Sequence, residues 1–146
     1  MKTLLLLAVI MSMGLLQAQG NLLNFRKMIE IVVGKEAVLS YAFYGCYCGW
    51  GGKGSPKDAT DWCCFEHDCC YAELEDYGCG TKFLGYKFSS YGDTIVCGKK
   101  DGDFCRRKLC QCDRNAAYCF ARNEDTYDEN VQYYSNQRCS GRTPQC

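Results

Sequence analysis

The sequence predicts a mainly α-helical fold: two long antiparallel helices linked by disulfides, an N-terminal amphipathic helix, a glycine-rich loop and a small β-hairpin. Three observations predict it. Apolar residues recur at the helical period of about 3.6 in separate stretches. Fourteen cysteines, all beyond residue 20, point to a framework of covalent cross-links. Residues 44–54 carry glycine at 45, 49, 51, 52 and 54 with no helical period, which describes a loop whose backbone is closely approached.

The chain begins Met1-Lys2-Thr3, runs through the apolar residues 4–10 and Leu15-Leu16, and reaches Gln17-Ala18-Gln19-Gly20. One early lysine, a short apolar core and small residues near position 20 predict a secretory signal peptide over 1–20. The mature chain, 21–146, is then a single domain, soluble and secreted. Oxidising export suits an even cysteine count, with at most seven bridges, each typically worth about 2–4 kcal/mol and not additive. Removing the leader takes away Lys2, so the 17 basic residues become 16 against 17 acidic ones. Such a surface has no strong pull on anionic polymers, which argues against a nucleic-acid partner. No Asn-x-Ser/Thr sequon occurs after residue 20.

Leu22, Phe25, Met28, Ile29, Val32 and Val33 form one helical face, and Gly34 stops the helix. After the glycine loop, Pro56 and Asp58 open a long helix that runs to about Tyr77, before Gly78. Tyr86-Lys87-Phe88 and Thr94-Ile95-Val96, separated by residues 89–93, predict a hairpin. A second long helix over 104–122 carries Leu109, Cys112, Ala116, Cys119 and Phe120. The tail from Asn123, tyrosine-rich and with two cysteines, reads as an irregular tie-down.

The only histidine stands mid-helix in Cys63-Cys64-Phe65-Glu66-His67-Asp68-Cys69-Cys70. His67 and Tyr71 share a helix face, whereas Asp68 is turned about 100° from His67, so the two adjacent residues address different neighbours. Two antiparallel helices would let Asp113 reach one nitrogen of His67 and leave the other as a base. A structural zinc site is disfavoured, because adjacent helical cysteines diverge and the export context favours disulfides. Gly49-Trp50-Gly51-Gly52-Lys53-Gly54 matches G-x-G-x-x-G, but no βαβ unit surrounds it, so a dinucleotide site is rejected. Loop carbonyls near the Asp68 carboxylate suit calcium better, an ion that takes six to eight oxygens in irregular geometry. No Gly-x-Ser-x-Gly elbow is present, which leaves an activated water as the simplest nucleophile.

Cys63-Cys64-x-x-His67-x-x-Cys70, Leu109-Cys110-x-Cys112-Asp113 through Cys119, and Tyr44-Gly45-Cys46-Tyr47-Cys48-Gly49-x-Gly51-Gly52 resemble the two signatures and the calcium loop of secreted phospholipase A2. The resemblance covers the whole mature chain. Cys69 and the terminal Cys146 make it most similar to group II, and Asn21-Leu22-Leu23-Asn24-Phe25 to the mammalian group IIA type. It implies a phosphatidylcholine 2-acylhydrolase acting on the sn-2 ester at a phospholipid membrane surface. His67 would activate water, Asp113 would orient His67, and Tyr71 and Tyr86 would hydrogen-bond that aspartate. One calcium ion would be held by Asp68 and the carbonyls of Tyr47, Gly49 and Gly51, with the Gly49 N–H assisting. Leu22, Phe25 and Ile29 would line the acyl channel.

The resemblance also implies the pairing 46–139, 48–64, 63–119, 69–146, 70–112, 79–105 and 97–110. The departure is in charge: many group IIA enzymes are strongly basic and favour anionic membranes, while this chain is near neutral. Trp50 in the loop would suit a zwitterionic interface instead. Some relatives keep the fold as toxins or receptor ligands without catalysis. Aspartate rather than lysine at 68 argues for the enzyme, and a cell-surface receptor could be an additional partner.

Overall fold

The structure, a computed structural model, describes residues 2–3, 20–49, 51–98 and 103–146. Most of the expected signal peptide and Trp50 therefore lie outside the described residues. From residue 20 onward the described residues hold four α-helices: α1 (Gly20–Val33), α2 (Ala37–Tyr41), α3 (Ala59–Asp76) and α4 (Phe104–Arg122). One two-stranded antiparallel sheet, β1 (Phe88–Tyr91) and β2 (Thr94–Cys97), accompanies them.

Helix ends follow local chemistry. The Asp58 side chain accepts from Asp61 N at 2.9 Å and starts α3, and Asp103 does the same for α4 through Cys105 N at 2.9 Å. Helix α3 ends where Gly78 turns to φ 82°, with Gly78 N bonded to Glu75 O and Cys79 N to Leu74 O, a Schellman motif. Helix α2 was not expected. Glu36 caps it by accepting from Leu39 N at 2.7 Å, and five residues are too few for a readable period.

Helices α3 and α4 run antiparallel, joined by Cys63–Cys119 at one end and Cys70–Cys112 nearer the other. Helix α1 packs across them, and the core between the three centres on Met28, Ile29, Leu109, Ala117 and Phe120. All fourteen cysteines are paired, and the seven bridges match the pairing that the resemblance implied.

The hairpin needs a correction. Ser89, Ser90 and Tyr91, expected in the turn, belong to β1 and pair with Val96, Ile95 and Thr94. The turn is only Gly92-Asp93, with Gly92 at φ 61° in the first central position. That is where a primed two-residue turn needs glycine. The serines misled because they are turn formers by composition, yet on an exposed ribbon they pair without loss. Cys97–Cys110 and the bond from Ile95 N to Tyr118 Oη (2.8 Å) fasten the hairpin to α4.

The tail ties the molecule together. Tyr127 donates to Ser40 O at 2.6 Å, Gly54 N to Thr143 Oγ1 at 2.9 Å, and Cys46–Cys139 and Cys69–Cys146 close spans of 93 and 77 residues. No helix among the described residues is long and apolar enough to cross a membrane.

Candidate active site

His67 lies mid-way along α3 and Asp113 mid-way along α4, so antiparallel packing sets them face to face. Their contact is His67 Nε2 to Asp113 Oδ1 at 2.7 Å. Asp113 is wholly buried and accepts two further bonds: from Tyr71 Oη to Oδ1 at 2.6 Å, and from Tyr86 Oη to Oδ2. A carboxylate oxygen accepts, so the contact assigns the imidazole proton to Nε2. Burial and the Asp113 charge push the Tyr86 phenol far above its ordinary range, which keeps it a donor. Nδ1 of His67 is then the nitrogen able to take a proton.

Tyr71 follows His67 by one turn of α3, and its ring tilts against the imidazole at 4.3 Å. Tyr86 comes from the segment before β1, where Asn24 of α1 accepts from Tyr86 N at 3.3 Å. Phe25, also on α1, stacks on the imidazole at 4.4 Å. Three elements thus lock one ring.

A cavity of about 450 Å³ opens over this ring. Its walls include Leu22, Phe25 and Ile29 of α1, Tyr41 of α2, and Phe120 of α4, while His67, Asp68, Tyr47 and Gly49 form its polar part. Ile29 is buried, Phe25 is half-buried and Leu22 stands 55% exposed at the rim, so α1 supplies both wall and mouth.

The glycine loop folds onto the same cavity. Gly49, Gly51 and Gly52 adopt φ of 91°, 110° and 148°, which turns the carbonyls in ways other residues rarely allow. A Cβ on Gly49 would stand 1.7 Å from the backbone oxygen of Ala42, so that position excludes a side chain, and at Gly51 the φ of 110° itself disfavours one. A Cβ on Gly52 would lie 4.0 Å from Asp68 Oδ2, which brings the loop backbone against that carboxylate. Desolvation pushes the Asp68 carboxyl up to about 6, although the residue as a whole stands exposed; His67 opposes this and Asp61 adds to it. All thiols are in disulfides, and no cluster of three His, Cys, Asp or Glu converges among the described residues. The Asp68 carboxylate and the carbonyls of the neighbouring loop are hard oxygen donors, the chemistry that suits calcium.

Sequence reasoning missed Asp61. Wholly buried, it accepts from Cys46 N, Tyr47 N and Lys57 N, each at 2.8 Å, and binds the glycine loop to the first turn of α3. In sequence it reads only as an acidic residue near a helix start, and no local pattern signals the loop above it. Tyr41, Val38 and Phe43 were missed with α2; the apolar run Ala37-Val38-Leu39 was their one signal.

A sequence profile of the family described as phospholipase A2 matches residues 22–132. The chain belongs to the phospholipase A2 family. It is 66% identical to "Phospholipase A2, membrane associated" from Homo sapiens over all of both chains. It is 50% identical to "Acidic phospholipase A2 Vur-PL3" from Vipera renardi, again over the full length of both. With "Group IID secretory phospholipase A2" from Mus musculus it shares 48% identity over 98% of this chain and 99% of that protein. As a phospholipase A2 the chain is a phospholipid-hydrolysing enzyme, and the family is generally calcium-dependent and works at phospholipid surfaces.

Proposed function

We propose that this chain is a secreted, calcium-dependent hydrolase of the sn-2 ester of glycerophospholipids, acting on aggregated lipid and releasing fatty acid and lysophospholipid. One observation carries the reading. His67, paired behind with the buried Asp113, lines an apolar cavity that also reaches the oxygen-rich glycine loop. In this reading His67 Nδ1 removes a proton from water as the water attacks the ester carbonyl, then returns it to the departing glycerol oxygen. Asp113 keeps the imidazole in the productive tautomer and stabilises its charged form. Phe25 and Tyr71, packed on the imidazole, hold its plane. The Gly49 N–H is a donor for the developing oxyanion.

Asp68 with the carbonyls of Tyr47, Gly49 and Gly51 would hold the ion. When bound, calcium supplies Lewis-acid polarisation of the ester and charge neutralisation of the phosphate. Leu22, Phe25 and Ile29 shape the acyl channel. The exposed apolar rim makes a lipid surface the fitting partner, and Trp50 would add to it. Export would follow removal of residues 1–20, leaving Asn21 as the first residue of the mature 21–146 domain.

No observation favours the non-catalytic, receptor-ligand alternative, because His67, Asp68, Asp113 and the loop glycines are all present. A receptor would be a separate partner.

The test is release of an sn-2-labelled fatty acid from phosphatidylcholine vesicles. Hydrolysis should need calcium, stop with excess chelator and vanish in His67→Gln. Undiminished release under either condition would refute the mechanism.

A further inference from the structure

The chain from Cys139 to Cys146 forms a strap across the end of the glycine loop. Cys139 is bonded to Cys46 near the start of that loop, and Cys146 to Cys69, the residue after Asp68. Between these anchors Thr143 Oγ1 accepts from Gly54 N at 2.9 Å and Ser140 O from Ser55 N at 2.9 Å, while Ser55 Oγ donates to Arg142 O at 3.2 Å. A Cβ on Gly54 would come within 2.6 Å of Ser140 O, so strap and loop are in close backbone contact. Gly54 O in turn accepts from Tyr47 Oη at 2.6 Å, and the Tyr47 carbonyl is a proposed calcium ligand. The strap thus bears on both halves of the proposed ion site, the loop through Gly54 and the carboxylate through Cys69.

The two anchors differ in access. Cys46 and Cys139 are both buried, and five other bridges each contain at least one buried cysteine. Only Cys69–Cys146 has none: Cys69 is half-buried and Cys146 is exposed. Exchange requires a thiolate to reach a disulfide sulfur, so access ranks this bridge first. Cys139 stays tied to Cys46 when it opens, which confines the release to residues 140–146. That segment is mostly exposed and holds the loop by few bonds, the kind of segment that opens locally while the rest of the fold persists.

We propose that Cys69–Cys146 is a site of thiol–disulfide exchange: a dithiol reductant opens it selectively, and opening slackens the strap and weakens calcium binding. The inference rests on the calcium reading above. One thiolate of the dithiol attacks Cys146 Sγ, the S–S bond breaks, and Cys69 leaves as a thiolate that takes up a proton. The second thiolate of the reductant then attacks the mixed disulfide, which frees Cys146 as a thiol and leaves the reductant as its own disulfide. With the segment free, Gly54 and Ser55 lose the partners that fix the end of the loop. Support equal to one neutral hydrogen bond is worth about fivefold in calcium affinity. Coupling between the two events is reciprocal, so bound calcium should make the bridge harder to open by the same factor.

The experiment titrates the folded, fully oxidised protein with dithiothreitol, with and without calcium, and reads the opened cysteines by alkylation and mass spectrometry. Cys69 and Cys146 should be labelled first while the other bridges stay closed, and saturating calcium should raise the dithiol-to-disulfide ratio at the midpoint about fivefold. Calorimetric calcium titration then compares the oxidised protein, the selectively opened and alkylated protein, and a double variant, Cys69→Ser with Cys146→Ser. Failure of the oxidised protein to bind calcium would overturn the calcium reading itself. With that binding present, both open forms should bind about fivefold more weakly. Another bridge opening first, all bridges opening together, or open forms with the affinity of the oxidised protein would overturn the inference.

Discussion

Asp113 accepts from His67, Tyr71 and Tyr86 while fully buried, so its carboxylate is the acceptor around which these three side chains are arranged. Asp113→Asn puts an amide donor among three donors and forces one contact to break or the imidazole to change tautomer. The expected result is a loss of about 10²–10⁴ in kcat, the range that general base catalysis contributes. Vesicle binding should be retained, and a variant with wild-type kcat would remove Asp113 from its proposed role. With Asp68 as the proposed calcium ligand, its titration makes calcium binding pH-dependent. Its carboxyl is raised from 3.8 to about 6, chiefly by burial, so the metal-free fold holds a proton that the unfolded chain has already released. Its contribution to metal-free stability is therefore greatest below roughly pH 4, falls as pH rises towards 6, and is lost above that. Calcium competes with this proton. Affinity should be flat above about pH 6 and weaken about tenfold per pH unit below it. Calorimetric titration at pH 5 and pH 7 reads this, and equal affinities would exclude Asp68 as the ligand.

At the scale of elements, the loop and the long helices are joined by one side chain. Asp61 sits in the first turn of α3 and takes the N–H groups of Cys46, Tyr47 and Lys57. Its carboxylate also fills the space beside Gly45, where a Cβ would come within 2.4 Å of Asp61 Cγ. Asp61→Ala strands three donors at once. With all disulfides intact it should cost at least about 2–4 kcal/mol in denaturant unfolding, by the usual penalty for unpaired buried donors. Calcium affinity should fall with it, because the carbonyls of Tyr47 and Gly49 lose their anchor; unchanged stability and affinity would contradict this role. The same scale explains which elements were legible. Helices α1, α3 and α4 are long enough to show a period and carry glycine or aspartate at their ends. Helix α2 is shorter than two turns, and the hairpin ends were misread because two serines suit a turn as well as an exposed strand.

On the scale of the molecule, Leu22, Leu23, Val38 and Phe43 both line the cavity and stand exposed around its mouth. On the proposed function, this apolar rim would be covered by lipid while acyl chains enter. Leu23→Asp should weaken binding to zwitterionic vesicles by about tenfold or more, since it replaces apolar burial with a charge to be desolvated. Hydrolysis of a short-chain monomeric substrate should change far less, and equal losses on both would remove the rim from the interface. Because the chain is near neutral, binding should also depend little on salt. Trp50→Ala should reduce zwitterionic binding further, and a large preference for anionic vesicles in wild type would count against this account.

The sequence by itself determined the helical class, the loop and the chemistry types on offer, because periods, caps, glycines and an even cysteine count are local properties. Its motifs carried the disulfide pairing through resemblance, not through the spacing of the cysteines. Only the tertiary structure decided that Nε2 of His67 meets Asp113 and that Asp61 anchors the loop. Each of these depends on which faces of distant elements meet, and packing of α1 and α2 against the α3–α4 pair settles that.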